Sequence, residues 1–327
     1  MSPTLLQVRD LRVRFRRRDH VTVAVDGLDF SVVQGRTLAI IGESGSGKTV
    51  SCRAVMGLLP GNASVSGEVA FEGAQLLGLP EREMRRHRGA DIAMVFQDPA
   101  RSLNPTMKVG TQVVEAVREH LPLPRAEARE RAVELLEMVR IPSPQRRFEE
   151  YPHQLSGGMR QRVMIAIALA CHPKLLIADE ATTALDVTTQ AQIIELLLDL
   201  QDELGMALIF ISHDLGLAAS YTDEVIVMYA GRAVERAPTA RLFEAVRMPY
   251  TKALLDAIPR LDRPAHTLLP VVPGRPPDLS STGRGCSFAP RCSRAVDDCR
   301  DDAPALAEHE PQHWWACHRP YRNGDAR

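Results

Sequence analysis

The chain has 327 residues, 45% of them hydrophobic, and 40 Lys and Arg balance 41 Asp and Glu to a formal charge of −1. That composition excludes a disordered or collagen-like chain, and the near-neutral charge speaks against nucleic acid, whose phosphates demand a basic footprint. No run of about 18 uncharged apolar residues occurs, so no bilayer-spanning helix is predicted; Met1-Ser-Pro-Thr-Leu-Leu-Gln7 also lacks the basic and apolar regions of an export signal.

In chain order, Arg14, Arg16, Arg17 and Arg18 form a charge run, read as a solvated loop or strand edge in preference to a phosphate-binding patch. Leu38–Ile41 is the first of several short apolar runs, followed by Ile92–Phe96, Leu175–Ala178, Ala207–Ile211 and Val225–Met228. Runs that are apolar throughout suit strands buried on both faces of a parallel sheet. Helical patterns lie between them, such as Thr188 to Leu204, with Ile193, Ile194, Leu197, Leu198 and Leu200 at helical spacing. The expected fold is therefore α/β. From about Pro99 to Gln154 the pattern is helical and polar, which predicts a helical subdomain inserted in the sheet domain and reaching to about residue 165. From Pro259 onward Pro rises and periodicity fades. The expected division is a sheet domain over 1–258 and a loop-rich extension over 259–327, too poor in apolar periodicity for a large core.

Gly42-Glu43-Ser44-Gly45-Ser46-Gly47-Lys48-Thr49 follows the first apolar run and opens a helix-like stretch. It matches G-x-x-x-x-G-K-[ST], in which glycines turn backbone N–H groups inward around phosphate oxygens and the helix N-terminus favours the anion. Lys48 is placed to reach the β- and γ-phosphates of ATP, and the Thr49 hydroxyl to bind Mg²⁺. The run Leu175–Ala178 ends in Asp179 and Glu180. Asp179 is expected to hold Mg²⁺ through water, and Glu180 to accept the proton of the attacking water. Leu155–Gln161 precedes another helical run, with Ser156 as N-cap and the Gly157 and Gly158 amides at a helix start.

Together these residues resemble the ATP-binding cassette (ABC) ATPase family, a P-loop NTPase fold, with Leu155–Gln161 similar to its signature motif. The resemblance implies further assignments. Gln97 corresponds to the glutamine that touches Mg²⁺ and the attacking water, Ala184-Leu185-Asp186 to the D-loop, and His213 to the histidine that contacts the γ-phosphate. Phe15, or a neighbour such as His20, stands where the family's aromatic residue stacks on adenine. Ala181 departs from the family's usual Pro after the glutamate and leaves both carboxylates in place. The family sandwiches each ATP between two cassettes, so Ser156, Gly157, Gly158 and Asp186 are expected to act in trans, in a dimer with a copy of this chain or a homologous subunit.

The tail resembles the C-terminal extension of oligopeptide/dipeptide importer ATPases, a branch that includes nickel importers. Phe96–Pro105, Tyr151–Gln154, His172–Glu180 and Met248–Thr251 agree with it. The resemblance implies an ATPase on the cytoplasmic face of the inner membrane, with two transmembrane permease subunits and an external solute-binding protein as partners. The same subunit type in a nickel importer is the first alternative, and a non-transport ABC ATPase or a nucleotide-binding regulator the second. Cys286, Cys292, Cys299 and Cys317 carry no close-spaced zinc knuckle. A [4Fe–4S] cluster, Zn²⁺ and metal-free thiols all remain open for them. Cys52 and Cys171 are expected as buried side chains in helices. His309, His313 and His318 are alternative ligands but are expected in solvent, and Trp314-Trp315 is expected to pack the tail onto the sheet domain or a partner.

Overall fold

The computed structural model describes residues 3–17, 20–181, 186–258, 272–277 and 284–322. In chain order its strands are β1 (Thr4–Arg17), β2 (His20–Val33), β3 (Thr37–Ile41), β4 (Ala63–Phe71), β5 (Ala74–Gln75), β6 (Ile92–Val95), β7 (Leu175–Asp179), β8 (Ala207–Ser212), β9 (Glu224–Tyr229), β10 (Arg232–Pro238), β11 (Ala307–Glu310) and β12 (His313–Trp315). The chain divides into two compact units. The first comprises Met1–Leu5, Val32–Arg36 and Gly78–Ile211, and the second Leu6–Ser31, Thr37–Leu77 and Ser212–Arg327.

In the first unit β6, β7 and β8 run parallel, with Ile92 opposite Leu175 and Leu175 opposite Ala207. Every residue of the three strands is buried. Covered on both faces, such strands have no solvent side on which a polar residue would be favoured, which is why they read as unbroken apolar runs. Helices Val109–His120, Arg125–Met138 and Gly157–Ala168 carry the predicted helical region, burying Val113, Val117, Ala132, Leu135, Leu136 and Ile165. The last of these stops at Ala168, so Cys171 lies beyond its end and is only half-buried, contrary to expectation. Helix Val187–Leu204 buries Ile193, Ile194, Leu197 and Leu200 and terminates at Gly205, whose φ of 62° suits a left-handed cap.

In the second unit β3 pairs parallel with β9, and β10, β12 and β11 add antiparallel in turn, giving the order β11-β12-β10-β9-β3. A separate antiparallel sheet has the order β2-β1-β4-β5. Its long first strand was not anticipated because its alternation slips. Leu6 and Val8 are buried, then a bulge between Arg9 and Arg12 shifts the register, so that Leu11 and Val13 take over the same face. Asp10 sits in the bulge at φ 44°, and opposite it only glycine fits, since a Cβ on Gly67 would lie 2.5 Å from the Asp10 carbonyl oxygen. Arg14 and Arg16 lie exposed along this strand, while Arg18 falls outside the described residues.

The tail contributes more order than its composition promised. Glu235 and Arg236 of β10 pair with Trp315 and Trp314 of β12, so both tryptophans do join the tail to a sheet. His313 is fully buried rather than solvated, its Nε2 2.9 Å from the equally buried Glu235 carboxylate. His309 is exposed as expected and stacks on Trp315. Glu235 also accepts the backbone N–H groups of Arg247 and Met248. Phe288 joins Tyr229 and Tyr250 in an aromatic triangle with centroids 4.6 to 5.3 Å apart, and Cys286, Cys292 and Cys317 pack against the same cluster.

Candidate active site

In the second unit the fully buried β3 ends at Ile41, and the chain turns at once toward the helix Lys48–Val55. Two glycines make the turn possible. A Cβ on Gly42 would lie 2.2 Å from the Met228 carbonyl oxygen, and one on Gly47, at φ 101°, 2.5 Å from that of Ala24. Both are backbone contacts that no side chain can relieve. Ser44 and Gly45 are exposed, and Glu43 and Thr49 are half-buried. The Lys48 ammonium is held inside the loop, donating to the carbonyl oxygens of Gly42 at 2.7 Å and Glu43 at 3.0 Å. Ser46 Oγ is buried with no hydrogen-bond partner among the described residues. A backbone cradle closed to side chains, a captive ammonium, an orphan hydroxyl and a helix N-terminus together fit a polyphosphate.

His213 lies exposed just beyond β8, on a turn fixed by Asp214, which accepts the Gly216 N–H at 2.8 Å and caps helix Leu215–Tyr221. Phe15 is half-buried on β1, opposite Ala63 of β4, and His20 is exposed at the start of β2.

The first unit brings together two predicted residues. Asp179 ends β7 with 1% exposure, and Glu180 follows at φ 47°, its N–H donating to the Ile211 carbonyl. A glutamate in the left-handed region costs roughly 1–3 kcal/mol, a strain retained where surrounding structure over-determines it. The carboxamide Nε2 of Gln97 donates to Glu180 Oε2 at 2.7 Å. Ser156 accepts the Met159 N–H and caps the helix Gly157–Ala168. A Cβ on Gly158 would meet Thr189 Cγ2 at 2.7 Å, so any larger residue there requires the Thr189 side chain to shift. Asp186 is itself an N-cap. It accepts the Thr189 N–H at 3.0 Å and its hydroxyl at 2.7 Å, bonds that hold its carboxyl below the usual range. Ala184 and Leu185 lie outside the described residues.

Cys286, Cys292, Cys299 and Cys317 line one cavity of about 10 Å³, and burial, with some help from one another's charge, pushes the Cys286, Cys292 and Cys317 thiols up. That space is about the room of one water, and among the described residues no group of three or more His, Cys, Asp or Glu is arranged to hold a metal ion. As packed, the four thiols do not fit the [4Fe–4S] cluster.

Two residues at the loop went unnoticed in the sequence. Tyr250 Oη accepts the Glu43 N–H at 2.8 Å, and Arg291 grips the Glu43 carboxylate through both terminal nitrogens, at 2.6 and 2.9 Å. Neither sits in a local pattern that signals a phosphate loop.

Residues 25–183 match the ABC transporter family, and residues 234–299 match the oligopeptide/dipeptide transporter C-terminal region. The chain is 52% identical to the probable peptide ABC transporter ATP-binding protein y4tR of Sinorhizobium fredii, over 96% of this chain and 95% of the relative. It is 49% identical to the oligopeptide transport ATP-binding protein OppD of Escherichia coli K12, over 98% of this chain and 94% of the relative. Among solved structures it is similar to the dimeric post-hydrolysis state of the ATP-binding cassette MJ0796 bound to ADP and Pi, with a TM-score of 0.65 and 27% identity over 72% of this chain and 99% of that one. CbiO1 from Clostridium perfringens gives a TM-score of 0.63 and 30% identity over 74% of this chain and 91% of that one. Along nearly its whole length, then, the chain belongs to the ATP-binding subunits of ABC transporters, in the branch that carries the oligopeptide/dipeptide C-terminal region.

Proposed function

We propose that this ATPase drives import of di- and oligopeptides from the cytoplasmic face of the inner membrane, as a peripheral subunit docked on two transmembrane permease subunits that an external binding protein supplies. The observation that carries the reading is the loop Gly42–Thr49, closed to side chains by backbone contacts at Gly42 and Gly47 and holding Lys48 captive. The cargo class is supported by the match of residues 234–299 and by the peptide-transport relatives. Residues 1–258 form the ATP-binding part, with its helical portion at about 99–165, and 259–327 the branch-specific extension.

The loop amides and Lys48 bind the β- and γ-phosphates, and Phe15 stacks on adenine. Thr49, Gln97 and Asp179 offer oxygen ligands that suit Mg²⁺, which when bound neutralises charge on the phosphate oxygens. Glu180 accepts a proton from the water that attacks the γ-phosphorus as the bond to the β-phosphate oxygen breaks. Gln97 fixes the direction of that carboxylate, and His213 donates to the γ-phosphate. The helix start at Ser156, Gly157 and Gly158 lies across the nucleotide of a second subunit, with Asp186 beside it. Contacts to the γ-phosphate from both sides hold the pair closed, and hydrolysis removes them. The four tail cysteines take no part in the reaction.

Glu180→Gln tests the assignment. This variant is expected to bind ATP, lose turnover by roughly 10²-fold or more, and accumulate as an ATP-dependent dimer in size-exclusion chromatography. Hydrolysis at the unmodified rate would remove Glu180 as the base.

A further inference from the structure

We infer that Arg291, a residue of the cysteine-rich tail, is a positioning residue for ATP binding: its guanidinium clamps Glu43 and thereby fixes the phosphate loop. The inference rests on the reading of Gly42–Thr49 as the ATP-phosphate site.

The clamp is built rather than incidental. The Arg291 side chain is only 4% exposed, and its fork meets both oxygens of Glu43, at 2.6 and 2.9 Å. Its remaining donors are also engaged, with Nε on the Pro273 carbonyl at 2.6 Å and Nη1 shared with the Tyr229 hydroxyl at 3.2 Å. A bidentate guanidinium–carboxylate pair fixes direction as well as distance, and a guanidinium so fully occupied has no freedom to let the carboxylate wander.

Glu43 is held at three points. Its carboxylate is on Arg291, its N–H on the Tyr250 hydroxyl, and its carbonyl oxygen on Lys48 Nζ. The two outer anchors lie 248 and 207 residues away along the chain. The third is the ammonium that must reach the phosphates. Displacing Glu43 therefore displaces an acceptor of Lys48 and the first turn of the cradle, whereas a tether elsewhere on the surface would leave the loop unaffected. Arg291 belongs to the short turn Ala289–Arg291, between Cys286 and Cys292, with Phe288 seated on Tyr229 and Tyr250. Order in the tail is thereby transmitted to the loop through one ion pair.

The test is a double-mutant cycle on the full chain, read by titration with an N-methylanthraniloyl ATP analogue and by steady-state hydrolysis. Arg291→Ala should weaken nucleotide binding about tenfold, because only a fraction of loops remain competent, with kcat at saturating ATP nearly unchanged. Arg291→Lys, which keeps the charge without the fork, should fall between. Glu43→Ala combined with Arg291→Ala should be no worse than either alone. Binding within twofold of the unmodified chain in Arg291→Ala, or additive losses in the double variant, overturns the inference. Fluorescence of Trp314 and Trp315 reports whether the tail stays docked; if Arg291→Ala does not fold, the isosteric Glu43→Gln is read against the same limits. Lys48→Ala separates the two levels. If it loses binding while Arg291→Ala does not, only the clamp is wrong; if it binds normally, the loop is not the ATP site.

Discussion

The Gln97 carboxamide donates to the Glu180 carboxylate at 2.7 Å, across the ends of the paired strands β6 and β7. That bond fixes the direction of the proposed base. Gln97→Leu, close in volume but with no donor, leaves the carboxylate free to swing, and misplacing a reacting group by about 1 Å can cost on the order of 10²-fold in rate. The kcat at saturating ATP should therefore fall about tenfold or more. An unchanged kcat in steady-state hydrolysis would detach Gln97 from Glu180.

Gly47→Ala tests the loop's backbone. At φ 101° the new methyl would lie 2.5 Å from the Ala24 carbonyl oxygen. The loop must then distort, at a cost of roughly 1–3 kcal/mol. Thermal unfolding should report that loss, and nucleotide titration should show binding fall by an order of magnitude or more.

Glu235 organises the tail's attachment, holding His313 and two backbone N–H groups in a fully buried site. Glu235→Ala leaves all three unsatisfied at once, so about 3–5 kcal/mol of stability should be lost in denaturant unfolding. The tail should also become cleavable by protease before the rest of the chain.

Cys317 carries a pH prediction. Burial first, and then the charge of its three neighbouring thiols, pushes it from 9.0 to about 12. The folded state thus binds this proton more tightly than the unfolded one. Its contribution is fully present below pH 9.0 and is lost as pH rises toward about 12. Unfolding free energy should decline over that window, and Cys317→Ser should flatten the decline. At pH 8.5 the native thiol should alkylate far more slowly than in urea, as mass spectrometry of the tail peptide would show.

The five buried strands were legible because burial on both faces leaves an unbroken apolar run, and the loop was legible because G-x-x-x-x-G-K-T encodes a backbone shape. β1 was hidden by the bulge at Asp10, which breaks the two-residue period halfway along. His313 was misread because nothing beside it in the sequence shows that Glu235 waits 78 positions earlier. Asp186 matched a motif, yet its capping of Thr189 is a local duty that the resemblance does not mention. The roles of Arg291 and Tyr250 at the loop were hidden for the same reason as that of His313: their partner Glu43 is distant in sequence, and the stretch Met248–Thr251 that holds Tyr250 marks the branch without pointing to the loop.

The strand His313–Trp315 lies along β10 in the position a foreign chain's strand would otherwise seize. The rim it leaves, Ala307–Glu310, is four residues long and bears two glutamates, a poor template for further edge-on growth. Shorn of its tail, the protein would present β10's bare hydrogen-bonding groups to its neighbours, so the extension doubles as a guard against aggregation.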